Sequence, residues 1–544
     1  MPLPFFYNRE AEVERLRTLA ERLSQGQPDN LALIGVRKVG KTLLLFRLQE
    51  LLEEHRQLVL AYTYVEPGSL RDFSLAVLLS LLSQTALHFR IIERLQLLGL
   101  SPVEKLQTLA QALLPIFSRL ANKWLELPLL VNKEPQVIFD LAFDLAEELG
   151  AEQDIYYLLV FDEFQNVRTF GMPTLEHRLR QHILRQKRLA IIVAGSSISA
   201  IDDMFRNRQN PLFGHFKVEL IHPFSFAAAR GFIIQKMSGK MLLNETQIAF
   251  LTQITGGYPY YLDVLTDELL LRAPALRRAS DSIMAEALLA AVFASNGPIY
   301  TYLAYLIEVA FQERGRKGYL NLLRTIARGR HAVSDIAAAL RIKKENVSTP
   351  LRRLVDMGFL YRSDARYFFL DPLLELWIRE VYPMEEEMHI LGIRERYGVF
   401  KSQVEQMIDT YKQELGKGNE ARIRELFVAF DGRTMLRDLR LPRFERVTTG
   451  MINNEEYDVI AWQQGQQVWI AEVKDTAVDV SMAKAFAEKL RTVTGHQIAE
   501  KVLICLAGYD SKAPSLAQAE QIHLWTLEDV NFLLRWHGKF PIQV

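Results

Sequence analysis

Cysteine is almost absent from this chain of 544 residues: Cys505 is the only one. An intrachain disulfide is therefore impossible and a cysteine zinc site is excluded, which fits a reducing cytoplasm. Net charge is also missing, since Lys+Arg and Asp+Glu both number 65. Overall charge thus says nothing about nucleic acid, and any basic surface must be local. No uncharged apolar run reaches the ~18 residues a membrane helix needs, so no membrane segment is expected. The opening Met1-Pro2-Leu3-Pro4-Phe5-Phe6 lacks the basic and apolar regions of a signal peptide. There is no low-complexity tract and no repeat. A composition 49% hydrophobic and 24% charged supports ordinary globular cores, and the length suits about three to four domains.

What is present begins with Gly35-Val36-Arg37-Lys38-Val39-Gly40-Lys41-Thr42, the pattern GxxxxGK[ST]. Leu31–Ile34 before it reads as a buried strand, and the residues after it as a helix. Glycines let successive N–H groups point at a phosphate chain, with Lys41 on the β/γ oxygens and Thr42 on Mg²⁺. The helix N-terminus adds its positive end. The strand Leu158–Phe161 leads into Asp162-Glu163: Asp162 would orient a metal-bound water and Glu163 would polarise the attacking one. Ser196, after the apolar run Leu189–Val193, could sense the terminal phosphate; a plain Gly-Ser turn is the alternative. Arg206 or Arg208 could reach a neighbouring subunit's nucleotide, with solvated surface as the alternative.

Alternating strands and helices mark residues 1–225 as an α/β core, with a leucine-rich helical insertion at about 70–150. Residues 226–300 read as an all-helical lid. Residues 301–385 read as a winged helix, and 386–416 as a charged helical connector. From 417 to 544 an α/β pattern returns. Within the winged-helix segment, Val333–Leu340 and Lys344–Leu354 form the helix-turn-helix, and the aromatic strands after Gly358 form the wing. Lys343, Lys344, Arg352 and Arg353 lie on or beside its recognition element and are candidates for DNA phosphates. Packing of the winged helix on the core as an internal relay is the alternative.

The C-terminal hairpin carries a second chemical signal. With Gln464-Gly465-Gln466 as a three-residue loop, Gln463 pairs with Gln467 and Asp458 falls opposite Glu472. Lys474 lies two residues further, on the same face. Two carboxylates that close would raise one pKa or attract a metal ion, and hard oxygen ligands select Mg²⁺ or Mn²⁺. Such a cation would stabilise charge on a scissile phosphate, with Lys474 positioning water. On the preceding helix Asn419–Phe430, Glu420 shares the stripe of Ile423, Phe427 and Phe430, whereas Glu425 does not.

Two resemblances follow from these residues. Asn8-Arg9-Glu10, Gly35–Thr42, Asp162-Glu163-Phe164-Gln165, Gly195-Ser196-Ser197, Pro211-Leu212-Phe213-Gly214, Pro223-Phe224 and Gly256-Gly257-Tyr258-Pro259 together resemble the archaeal-type ATPase family of the AAA+/STAND P-loop group. That resemblance implies an ATP-driven switch or motor, often oligomeric, with a helical lid and winged helix. Members often carry arginine after the Pro-Leu-aromatic-Gly element; here that position is His215. Asp458 with Glu472-x-Lys474 resembles the PD-(D/E)XK nucleases, whose additional acidic residue would be Glu420. The expectation is an ATPase with a P-loop parallel-sheet core controlling a Mg²⁺-dependent, restriction-endonuclease-like domain that cuts DNA, in repair or in defence. The rivals are an ATP-switched DNA-binding or assembly protein with a silent nuclease-like domain, and an ATPase acting on proteins.

Overall fold

The computed structural model describes residues 6–93, 97–120, 129, 133–172, 174–196, 203–272, 278–311, 315–363, 366–382, 393–453, 455–463, 467–537 and 539–542. Its contacts divide the chain into two compact units. One holds residues 1–241, 252–274 and 290–389, the other 242–251, 275–289 and 390–544. The stretch 226–300, expected as a single lid, is therefore shared between them. Residues 242–251 and 275–289 pack with the C-terminal unit, where Lys401 pairs with Glu286 and Lys412 with Asp281.

The first unit is built on five strands: β1 (Leu31–Ile34), β2 (Leu58–Tyr64), β3 (Tyr156–Asp162), β4 (Leu189–Gly195) and β5 (Lys217–Leu220). All pair in parallel, in the order β2-β3-β4-β1-β5. β1, β3 and β4 are continuous apolar runs because helices cover both faces of such a sheet. The order brings the carboxyl ends of β3, β4 and β1 side by side, the crevice where open α/β sheets bind ligands.

The 70–150 region consists of helices Leu70–His88, Pro102–Leu113 and Pro135–Gln153. Leu70–His88 and the stretch Asp281–Ala310 are long and apolar enough to cross a membrane by composition. Leu70–His88 instead buries Leu78, Leu81 and Leu82 in the core with Phe139 and Phe143, and turns at 294–296 interrupt the other stretch.

Helices Arg316–Ala327, Val333–Leu340 and Glu345–Asp356 precede an antiparallel hairpin of β6 (Leu360–Ser363) and β7 (Arg366–Phe369). Asp371, buried after β7, accepts hydrogen bonds from Tyr261 Oη (2.5 Å), Leu373 N (2.9 Å) and Leu374 N (3.1 Å). It thereby caps helix Pro372–Leu376 and ties this module to helix Pro259–Arg272. Burial pushes its carboxyl up to about 6, against the pull of those donors.

In the second unit, helix Ile393–Leu415 and helix Asn419–Ala429 precede seven strands. β8 (Thr434–Leu436) and β9 (Leu439–Leu441) form a small ribbon. β10 (Arg446–Ile452), β11 (Glu455–Trp462), β12 (Gln467–Lys474), β13 (Gln497–Cys505) and β14 (Ile522–Thr526) form one sheet in sequence order. β10, β11 and β12 pair antiparallel, while β12, β13 and β14 run parallel. Period-two alternation splits the core. Val459, Ala461, Trp469 and Ala471 face helix Asn419–Ala429, whereas Ile460, Val468 and Ile470 face helix Val480–Arg491.

Candidate functional site

β1 ends at Gly35, whose N–H donates to Gly195 O at the end of β4 (3.3 Å). A methyl at Gly35 would lie 2.4 Å from Ile221 O, so no larger residue fits there. Gly40 takes a left-handed turn (φ 98°) and hands the chain to helix Lys41–Leu52, whose first N–H groups are thus presented at the crevice. Lys41 is buried, and its ammonium donates to Gly35 O (2.7 Å) and Val36 O (3.2 Å) of its own loop. Burial lowers its pKa, and Glu163 and Asp162 oppose the shift. Arg9 of the Asn8-Arg9-Glu10 element braces the loop, donating to Val39 O (3.2 Å) and His222 O (2.6 Å) over the Phe224 ring.

At the end of β3, Asp162 Oδ2 accepts from Thr42 Oγ1 (2.6 Å) and Tyr62 Oη (3.0 Å), and Oδ1 accepts from Glu163 N (2.9 Å). Thr42 and Asp162 are adjacent hard-oxygen donors, the chemistry that suits Mg²⁺ beside a nucleotide. Glu163 sits in a left-handed turn (φ 55°) that swings its carboxylate toward β4. There Ser196 Oγ donates to Glu163 Oε2 (2.6 Å), and Gln165 Nε2 bonds the same carboxylate and Ser196 Oγ (3.2 Å). Arg37 Nε reaches Ser196 Oγ at 3.4 Å. The residues read from the sequence thus converge, and Tyr62, Gln165 and Arg37 join them. Ser197 lies outside the described residues. Lys38 stacks over Tyr260 (4.2 Å) and Tyr302 (4.7 Å), linking the loop to helices Pro259–Arg272 and Pro298–Ala310.

The two arginines offered for a neighbouring subunit's nucleotide are both exposed. Arg206 lines a separate cavity with Arg15, Arg22 and Lys217. His215 accepts from Arg180 Nε (3.2 Å). Of the DNA candidates, Lys343, Lys344, Arg352 and Arg353 are all exposed. Arg353 Nη1 donates to Tyr319 Oη (3.2 Å).

In the second unit the expected register holds. Val459 pairs with Ala471, Ile460 with Ile470, and Gln463 N donates to Gln467 O (2.9 Å). The loop 464–466 lies outside the described residues. Asp458 lies beyond the last regular pair, where its Oδ2 accepts from Val473 N (2.7 Å). Burial raises the Asp458 pKa, and the charges of Glu472 and Glu420 add to the rise. Glu472 is clasped by two ammonium groups: Lys474 Nζ on Oε1 (3.0 Å) and Lys489 Nζ on Oε2 (2.7 Å). Lys489, from helix Val480–Arg491, also sits over the Tyr457 ring (4.5 Å).

Glu420 corrects the stripe argument. It lies in the first turn of its helix and is exposed, while Ile423 and Phe427 beside it are buried. Glu425 pairs with Lys417 and Lys539. Among the described residues, no three His, Cys, Asp or Glu side chains gather as metal ligands. Asp458 and Glu472 are suitable hard-oxygen donors for a divalent cation, but both Glu472 oxygens are engaged by lysine.

Residues 6–265 match the family described as an ATPase domain predominantly from Archaea. No curated protein matches the sequence. Among solved structures, the Walker-type ATPase of Pyrococcus abyssi is 21% identical over 69% of this chain and 96% of its own, with TM-score 0.45. The Aeropyrum pernix ORC2 protein in its ADPNP–ADP complexes is 14% identical over 71% and 97%, with TM-score 0.42. The Thermotoga maritima RuvB Holliday junction branch migration motor is 16% identical over 70% and 98%, with TM-score 0.34. Every one of these scores is below 0.5, too loose a likeness to assign function.

Proposed function

We propose, from the match of residues 6–265 to a family described as an ATPase domain predominantly from Archaea, that this protein is a DNA-processing factor in which ATP controls a metal-dependent C-terminal nuclease. ATP would draw Lys41 from the loop carbonyls onto the β/γ oxygens. Thr42 and Asp162 would hold Mg²⁺, and Glu163, fixed by Ser196 and Gln165, would orient the attacking water.

DNA as the partner is supported by local charge. Between 315 and 370 the chain has twelve Lys or Arg against four Asp or Glu, in a protein of zero net charge. A three-helix module with a hairpin and that excess suits a winged helix on phosphates.

The nuclease reading is carried by one observation: the β11–β12 register sets Asp458, Glu472 and Lys474 together at the end of a mixed sheet. Asp458 and Glu472 would hold a divalent cation, with Glu420 within reach of its field. That cation would neutralise charge on a phosphodiester, and Lys474 would orient the water. Incubation of the full chain with Mg²⁺ and plasmid or branched DNA tests this. Cleavage by wild type and not by Glu472→Ala is expected; identical behaviour of the two sinks the nuclease reading.

The double clasp on Glu472 favours a second reading, in which the domain grips DNA without cutting it. Mg²⁺-independent DNA binding with no cleavage of any substrate would establish that alternative.

A further inference from the structure

The stretch 433–446 holds five arginines, Arg433, Arg437, Arg440, Arg443 and Arg446, against two acids, Asp438 and Glu445. Residues 390–544 as a whole carry 20 Lys or Arg against 21 Asp or Glu, so the excess is local. All five arginines are exposed. Among the described residues, Arg437 is the one of the five that pairs with a carboxylate, Asp529 at 2.6 Å. Neither the nucleotide site nor the Asp458 cluster uses any of them.

The β8–β9 ribbon gathers them. It pairs Thr434 with Leu441, Met435 with Arg440 and Leu436 with Leu439. Side chains alternate between faces, so Thr434, Leu436 and Leu441 turn inward and are buried. Leu436 and Leu441 join the core that holds Val459 and Trp469, which seats the ribbon firmly. The opposite parity puts Arg433, Met435 and Arg440 on the outer face. Arg433 is diagonal to Arg440, about 7–8 Å away between Cα atoms, with exposed Met435 beside both. Arg440 Nε donates to Gly432 O (2.8 Å), which fixes the direction of its guanidinium. At the open end a methyl on Gly432 would lie 3.6 Å from Arg443 N, so Arg443 stands next to Arg433. Arg446, at the start of β10, sits over the Trp462 ring (5.1 Å).

We propose that this arginine face is a docking surface for the phosphate backbone of duplex DNA, separate from the winged helix and from the Asp458 cluster. A guanidinium is a planar fork that matches phosphate oxygens two at a time. A two-stranded ribbon is also one of the elements that a DNA groove admits. A protein partner fits less well, because Met435 is the one apolar side chain between the outer-face arginines, and protein interfaces need an apolar centre. Glu472 and Lys474 share the parity of Ile470, on the sheet face toward helix Val480–Arg491, whereas the ribbon packs on the other face. The ribbon therefore holds DNA without taking part in any cutting. That the polyanion is DNA rests on the DNA-processing reading above; the surface rests on the ribbon alone.

The test measures anisotropy of a short fluorescent duplex with the full chain, in EDTA, over a range of KCl concentrations. The double variant Arg433→Ala/Arg440→Ala should weaken binding by roughly 10- to 100-fold at low salt. It should also flatten the plot of log affinity against log salt by about 1.8, the share of two phosphate contacts. Arg433→Lys/Arg440→Lys keeps both charges and should recover most of that slope. Arg352→Ala/Arg353→Ala, on the winged helix, should leave the effect of the ribbon substitutions in place. An unchanged melting temperature in the ribbon variant shows that it folds. If wild type binds duplex and the alanine double variant binds it with the same affinity and slope, the ribbon proposal is overturned while the DNA reading stands. If wild type binds no duplex at low salt, both fall together. If polyglutamate displaces the duplex at equal charge and loses its own binding in the same variant, the partner is an acidic protein and the DNA assignment is overturned.

Discussion

Thr42 Oγ1 donates to Asp162 Oδ2 over 2.6 Å, although 120 residues separate them in sequence. Their strand end and helix start are set side by side by the sheet order, which is the arrangement the proposed Mg²⁺ would use. Asp162→Asn should therefore weaken Mg²⁺-dependent ATP binding by about 1.5–3 kcal/mol. Titration of a fluorescent ATP analogue with and without EDTA checks this, since chelation should bring wild type to the level of the variant.

Lys41 is buried, and its ammonium donates to the loop carbonyls Gly35 O and Val36 O. Lys41→Met replaces a desolvated charge with an apolar chain of similar length. Its nucleotide-free melting temperature should equal or exceed that of wild type. At an ATP concentration about a hundredfold above its Kd, wild type should gain about 2.7 kcal/mol of stability. The variant should gain nothing, as thermal melting with and without ATP would show.

Glu472 lies between Lys474 and Lys489, so on the nuclease reading proposed above a cation beside Asp458 would have to separate an ion pair. Lys489→Gln should tighten Mn²⁺ binding several-fold in calorimetry of the full chain, because one competitor for Glu472 is gone. Asp458→Asn should abolish that binding. Weaker Mn²⁺ binding in Lys489→Gln would show instead that the lysine shapes the site for metal.

Asp371 is buried, and that burial raises its pKa to about 6. A carboxyl raised above its unfolded value of about 3.9 binds more protons in the native state, so its contribution falls as pH rises between those values. Above pH 6 the ionised group costs on the order of 2–3 kcal/mol relative to pH 4. Asp371→Asn removes this dependence while an amide oxygen can still accept from Tyr261. Chemical denaturation at pH 4.5 and 7 should show wild type losing stability relative to the variant. Parallel curves would refute the assignment.

Local rules read from the sequence go far here because they are geometric. The β11–β12 register follows from the side-chain period of two and a loop length, and just past its last pair Asp458 meets the Val473 N–H between Glu472 and Lys474. The clustering of Lys41, Thr42, Asp162, Glu163 and Ser196 was legible because they lie at strand ends and at a helix start. Lys489 was not, since it enters from a helix whose packing on the sheet no sequence rule specifies. Glu420 shows the limit of a helical stripe: in the first turn, a residue on the inward face can still lie past the edge of what the helix covers. Arg353 was read as a DNA contact from its charge and helix alone. That it lines one cavity together with Ser196 is visible only in three dimensions.

The chain passes between the two compact units five times before its last long segment. Neither unit can be excised by a single cut. A truncation after residue 389 would retain 242–251 and 275–289 while deleting the helix that supplies Lys401 and Lys412 to Glu286 and Asp281. Two apolar helices would be left bare, and aggregation of such a fragment would say nothing about whether the ATPase folds. Inactivation of each half is better pursued by point substitution than by dissection.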